Sequence, residues 1–228
     1  HNPTGYSLSQ QEWDEVIDYL NECGKKVPVV LLNDIAYIDY SYRGKAARDY
    51  IKTFDRISEH VFVVIAFSIS KSMTSYGMRC GAAILMAQKE ESVREVEIVF
   101  EKAARAIWSN VNNAAMENFV TVVTDNKAAY EAEKDEYVDL LKERSGIFTS
   151  EADACGLEYY PYKEGFFVTV KIEDNNVRNA YHEALMKEHI YTVMVNKGIR
   201  VAVCSLPVEK CKGLAARMKK ILDEVTAA

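Results

Sequence analysis

The chain has 228 residues, of which 49% are hydrophobic and 27% charged, with a net charge of −6. That length can bury a real core as one large or two small domains, the composition is that of a soluble globular protein, and the acidic balance argues against nucleic acid as a main partner. The longest uninterrupted apolar run, residues 61–67, is far too short to span a bilayer.

In chain order, Ser9-Gln10-Gln11-Glu12 has the form of a capping box. Trp13, Val16, Ile17 and Leu20 follow at helical spacing, and Gly24 is the stop. Residues 28–33 predict a short buried strand. A helix is predicted over 45–57, with Ala46, Tyr50, Ile51 and Phe54 on one face. Strands are predicted at 61–67 and 81–87. This alternation indicates an α/β layer, mostly parallel. In such sheets functional groups lie beyond the carboxyl ends of the strands, where Asp34 and Lys71 both fall. Residues 90–107 are helical and highly charged. A second helical stretch, 114–143, should link this layer to a smaller domain. From about Ser145 the pattern is α+β: a strand at 166–172, a helix at 176–188, strands at 191–195 and 199–203, and a last helix from Pro207 to 225. The domain division is drawn as 1–112 and 113–228.

The cysteines, Cys23, Cys80, Cys155, Cys204 and Cys211, are odd in number and form no Cys-x-x-Cys pair. They suggest neither a metal site nor a disulfide framework, and they suit a reducing cytosol. His1, His60, His182 and His189 have no ligand spacing, so no metal is expected.

Lys71 follows the 61–67 strand, with hydroxyls at Ser68 and Ser70 and an arginine eight residues on at Arg79. This fits a Schiff-base lysine beside a phosphate site. The amine can form an imine with an aldehyde cofactor, while Ser68 and Arg79 hold a phosphate, the arginine in bidentate fashion. Taken alone, a lysine after a strand is more often a solvated loop residue. Three other segments stand in order around it: His1-Asn2-Pro3-Thr4-Gly5, Asn33-Asp34-Ile35-Ala36-Tyr37 and Gly198-Ile199-Arg200-Val201. Together the four resemble the fold-type I, pyridoxal-phosphate-dependent aminotransferases of the aspartate/aromatic class, across essentially the whole chain.

The resemblance implies part of a mainly parallel large domain followed by a smaller α+β domain. It implies that Lys71 carries the cofactor, that Asp34 pairs with the pyridinium nitrogen and keeps the ring an electron acceptor, and that Tyr37 and Asn2 bond its phenolic oxygen. Ser68 and Arg79 would take the phosphate, with Ser70 beside them. Arg200 would bind the substrate α-carboxylate. Arg105-Ala106-Ile107-Trp108-Ser109-Asn110 resembles the segment whose arginine binds a distal carboxylate in the neighbouring subunit's site. The chain departs from that pattern at Val111-Asn112-Asn113, where the family has prolines.

The implied activity is transamination between aspartate or an aromatic amino acid and a 2-oxo acid such as 2-oxoglutarate, by a cytoplasmic homodimer without nucleic-acid or membrane partners. The rival activities are β-elimination or decarboxylation on the same scaffold, and effector sensing in a transcription regulator. Asn-Pro-Thr-Gly stands about halfway along such proteins, and no Gly-rich phosphate loop is visible here. The chain is therefore expected to be a C-terminal half, from proteolysis or deliberate truncation, that binds pyridoxal phosphate poorly and lacks activity by itself.

Overall fold

The computed structural model describes residues 1–227, which group into two compact units. The first comprises residues 8–39 and 43–131. Its first helix, α1 (Gln10–Gly24), starts at the predicted capping box: Glu12 N donates to Ser9 Oγ at 3.2 Å and Ser9 N to Glu12 Oε2 at 2.7 Å. Two orphan amides of the first turn are thereby satisfied.

Strand β1 (Val29–Asp34) pairs in parallel with β2 (Val61–Ser68), in the register Val29↔Val61 to Asp34↔Ala66. β2 pairs antiparallel with β3 (Gly81–Met86), Ser68 opposite Gly81. Residues 69–80, which join these two strands, hold only a four-residue helical turn and a short 3-10 turn, not the crossover helix that usually carries a parallel connection. The central strand β2 is the most deeply buried of the three. β1 is buried on one face only: Val30 and Leu32 are exposed and Asn33 is buried. The period-two alternation of a strand covered on one side explains this.

The helix predicted over 45–57 is a 3-10 helix, Gly44–Arg56. Three residues per turn place Ala47, Tyr50 and Thr53 in one row. Ala47, Thr53 and Phe54 are buried, while Ala46, expected on the inner face, is exposed. The core of this unit joins Ile17, Phe54, Ile57, Val61, Val63 and Ile65. Trp13 stacks on Tyr50 at 4.5 Å and meets Phe54 edge-on at 5.7 Å.

After β2 comes a single helical turn, α2 (Ile69–Ser72), then α3 (Glu90–Trp108) and α4 (Asn113–Thr124). Asn112 caps α4 by accepting from Ala115 N at 3.3 Å. The single stretch predicted over 114–143 is broken at Asp125-Asn126. These residues compete for backbone partners through their own side chains. α5 (Lys127–Cys155) then runs on into the second unit's residues.

The second unit comprises, among the described residues, 1–7, 40–42 and 132–227. Its sheet has the order β4 (Phe167–Lys171), β6 (Gly198–Ala202), β5 (Val193–Val195), all antiparallel. α6 (Asn175–Lys187) is capped by Asp174, which accepts from Asn176 N at 2.6 Å. The final helix predicted from Pro207 is two: α7 (Val208–Cys211) and α8 (Leu214–Ala227). Gly213 separates them at φ +75°, a conformation that costs glycine little, and its N–H donates to Glu151. Phe148, Leu157, Val168, Val170, Tyr181, Leu185, Ile199 and Met218 fill this core, each almost wholly buried.

Candidate functional site

Within the first unit, the carboxyl ends of β1 and β2 gather most of the predicted site. Asp34 ends β1 and Ser68 ends β2, on adjacent parallel strands. Asp34 Oδ1 accepts from Ala36 N at 2.9 Å, which orients the carboxylate and begins the turn leading to Tyr37. Ser68 caps α2, accepting from Ser70 N at 3.2 Å. This short turn presents Lys71, whose Nζ lies 3.8 Å from the Tyr76 ring centre and 5.8 Å from that of Tyr37. An ammonium over an aromatic face is held by the ring quadrupole.

Arg79 Nη1 donates to Ser70 Oγ at 3.3 Å and to the Tyr76 carbonyl at 2.9 Å. Its guanidinium carbon is 5.5 Å from the Tyr76 ring centre. Tyr76 thus borders both cations. Nothing in the local sequence pattern singled it out beyond its place between Lys71 and Arg79. Arg79 and Thr74 both have left-handed backbones, at φ 54° and 49°. Non-glycine residues held there cost roughly 1–3 kcal/mol each, and such strain clusters at functional sites. Ser70 and Ser72 are buried beside Lys71, and Ser72 Oγ has no hydrogen-bond partner.

Arg105, in the last turn of α3, is exposed. Its Nη1 donates to Ser109 O at 3.0 Å and Ser109 Oγ at 2.8 Å. It closes its own helix end, a favourable place for a cation.

The second unit holds Asn2 and Arg200. Arg200 lies on β6, and its Nη1 donates to Asn2 Oδ1 at 2.7 Å. Its guanidinium carbon lies 4.3 Å from the Phe167 ring centre, and its Nε is buried without a hydrogen-bond partner. Asn2 is fixed by the turn that follows it. Gly5 N donates to His1 O at 2.7 Å, Lys163 N and Glu164 N donate to Gly5 O at 2.8 and 3.0 Å, and Thr169 Oγ1 donates to Pro3 O at 2.6 Å. Gly5 has φ +76°, and a side chain there would run into the Tyr162 ring.

A second polar cluster, unread in the sequence, adjoins this turn. Glu164 Oε2 accepts from Ser41 Oγ at 2.6 Å and Tyr42 N at 2.7 Å, and His1 Nε2 lies 3.4 Å from Oε1. Tyr42 OH sits 2.9 Å from Ser145 Oγ and 2.8 Å from Tyr162 OH, which donates to Gly165 O. Burial pushes both phenols' pKa values up. Sequence signals could not find this cluster, because the bonds from Ser41 and Tyr42 to Glu164, Ser145 and Tyr162 span more than 100 positions and no periodicity links them. Among the described residues all five cysteines are free, no group of three or more His, Cys, Asp and Glu is placed to hold a metal, and no helix is long and apolar enough to cross a membrane.

The family model for aminotransferase class I and II matches residues 1–218. Mitochondrial aspartate aminotransferase P2 of Lupinus angustifolius is 24% identical over 234 residues, 94% of this chain and 46% of that protein. Mitochondrial aspartate aminotransferase of Schizosaccharomyces pombe is 31% identical over 126 residues, 53% of this chain and 27% of that one. Among solved structures, an aminotransferase from Anaerococcus prevotii superposes with a TM-score of 0.91 at 36% identity, over 98% of this chain and 55% of that one. An aromatic-amino-acid aminotransferase from Burkholderia pseudomallei, covalently bound to pyridoxal phosphate, shares the fold with a TM-score of 0.71 at 23% identity, over 97% of this chain and 54% of that one. The chain spans about half the length of these structures and less of the two curated relatives.

Proposed function

The chain belongs to the aminotransferase class I and II family, and we propose that the full-length protein carrying it is a pyridoxal-phosphate-dependent aminotransferase. It would move an amino group between aspartate or an aromatic amino acid and a 2-oxo acid such as 2-oxoglutarate. The observation that carries this is the cluster of Lys71, Tyr37, Ser70 and Arg79 beyond the parallel strand ends. Its donor set fits the cofactor. Ser68, Ser70 and Arg79 supply hydroxyl and guanidinium donors for a phosphate. Asp34 supplies a carboxylate for the pyridinium nitrogen, and Lys71 the amine that holds the aldehyde carbon. The buried Arg200 Nε lacking a partner fits a carboxylate acceptor.

When bound, the cofactor supplies an electron sink for the pair left as the substrate loses its α-proton. The protein's residues divide the remaining work. Arg200 grips the α-carboxylate and so orients the Cα–H bond. Lys71 would act as the general base that takes that proton and later gives it back. Asn2 Oδ1 is already engaged by Arg200, so its amide nitrogen would be the group that donates to the cofactor's phenolic oxygen, and Tyr37 would supply a hydroxyl to the same atom. Arg105 would bind a distal carboxylate across a homodimer, which requires it to leave Ser109. Functionally the chain divides into a large-domain part, 1–112, and a linking helix with a small domain, 113–228, a division drawn on the family's architecture. The free cysteines support a reducing compartment such as the cytoplasm.

Borohydride reduction of the full-length protein with pyridoxal phosphate, followed by peptide mapping, tests the central assignment. The pyridoxyl label should sit on Lys71, and a label on another lysine defeats it.

A further inference from the structure

Glu164 is only 3% exposed, the sole charged side chain so deeply buried among the described residues. A carboxylate in such a place is costly unless its oxygens are matched by donors. Here Oε2 is met by two donors, and Oε1, which makes no hydrogen bond, is met by the imidazole edge of His1, an ion-pair partner when protonated. Oε2 accepts from Ser41 Oγ and Tyr42 N, and Oε1 faces His1 Nε2 at 3.4 Å. Three separate stretches of the second unit meet at this carboxylate: the turn at its start, the 40–42 excursion and the loop before β4 that carries Glu164.

The imidazole is as closely fitted as the carboxylate. His1 is 11% exposed. Gly165 has φ +96°, and a Cβ there would lie 2.8 Å from His1 Nδ1. Glycine at 165 thus makes room for the ring, and Glu164 beside it fixes the ring's far nitrogen. The backbone of the same loop reaches the turn from the other side, through the two amides that donate to Gly5 O. Asn2 follows His1 in the chain, and its Oδ1 takes the 2.7 Å bond from Arg200. Arg200 in turn lies on Phe167, two residues beyond Gly165. Residues 164–167 therefore support Arg200 twice, by the ring beneath it and by the histidine-anchored turn that holds its partner.

We infer that Glu164 is a positioning residue for carboxylate binding: acting through His1, it fixes Asn2 and thereby the direction of the Arg200 guanidinium. A two-pronged match between guanidinium and carboxylate depends on the fork's orientation, so loosening Asn2 loosens ligand binding. The inference rests on the assignment of Arg200 to a substrate carboxylate, and the two can fail separately.

The test uses succinate as a probe, its dissociation constant measured by calorimetry on the full-length protein with and without pyridoxal phosphate, so that no turnover is needed. Arg200→Ala should abolish binding. If it does not, the carboxylate assignment itself fails, whatever Glu164 does. With that control in place, Glu164→Ala should weaken succinate roughly ten- to hundredfold, as expected for displacing a binding group by about 1 Å. Glu164→Gln, which keeps an acceptor for Ser41 and Tyr42 and a polar group against His1 Nε2, should recover most of the affinity. His1→Ala breaks the same link one step later and should match Glu164→Ala. It decides the question if Glu164→Ala does not fold. A purely structural Glu164 would lower the melting temperature and leave succinate affinity of the folded protein within twofold of the parent for both variants. That result would overturn the inference.

Discussion

Arg200→Ala in the full-length protein separates two effects that the structure keeps distinct. The guanidinium donates to Asn2 Oδ1 at 2.7 Å and rests on Phe167 at 4.3 Å. Those contacts contribute about 1.5–3 kcal/mol for a charged hydrogen bond and about 0.5–2 kcal/mol for the ring. Both are contacts within the protein, so their own energy counts towards stability and largely cancels from kcat/KM. What remains is the substrate carboxylate left without its partner. Truncating one side of a desolvated charge pair costs about 2–5 kcal/mol, a drop in kcat/KM of roughly 30- to 4,000-fold at about 1.4 kcal/mol per tenfold. The loss should appear with every amino acid substrate, because all carry the α-carboxylate. Arg200→Lys keeps the charge without the fork and should fall between parent and Ala. Phe167→Leu removes the ring and keeps apolar bulk, so its loss should stay under about tenfold. Steady-state kinetics with aspartate and an aromatic amino acid checks this. Unchanged kcat/KM in Arg200→Ala refutes the role. A Phe167→Leu loss as large as that of Arg200→Ala would show that packing, not charge recognition, was being measured.

Arg105→Ala should weaken turnover of aspartate or glutamate far more than that of an uncharged amino acid, since a buried distal carboxylate needs a cation. Mixing Lys71 and Arg105 mutants should restore some dicarboxylate activity in the dimer that pairs an intact Lys71 with a neighbour's Arg105. Equal losses for both substrate types, or no regain on mixing, reject the cross-subunit role. The Tyr42–Tyr162 pair predicts an alkaline instability. Burial raises both phenols above the ordinary 10.0, so the folded protein keeps protons that the unfolded chain gives up. Their stabilisation is complete below about pH 10 and falls above it, by up to about 1.4 kcal/mol per pH unit for each tyrosine. Urea midpoints measured between about pH 9 and pH 11 should fall less steeply in Tyr162→Phe. Equal slopes in parent and variant would exclude the pair as the cause.

Several features were legible in the sequence because their causes are local. The Ser9–Glu12 cap forms as read, since both partners sit within one turn. β2 was visible as an apolar run. Lys71, Ser68, Ser70 and Arg79 lie within twelve residues, so one strand end and one turn suffice to bring Ser70 to Arg79 and Lys71 to the aromatic rings. Other features depend on partners distant in the chain. That β1 is covered on one face, and that Gly44–Arg56 winds with three residues per turn, depends on what packs against them. Gly213 could be read as a glycine, but not as the break between α7 and α8. The bond from Arg200 to Asn2 spans 198 positions, and that from Ser41 to Glu164 spans 123. A sequence carries such pairings only as residue types without addresses. The buried Glu164 reads in the sequence like any charged residue before a glycine turn. Only the second unit's fold, which takes this carboxylate out of water, brings Ser41 and Tyr42 to Oε2 and His1 to Oε1 and so makes it an anchor.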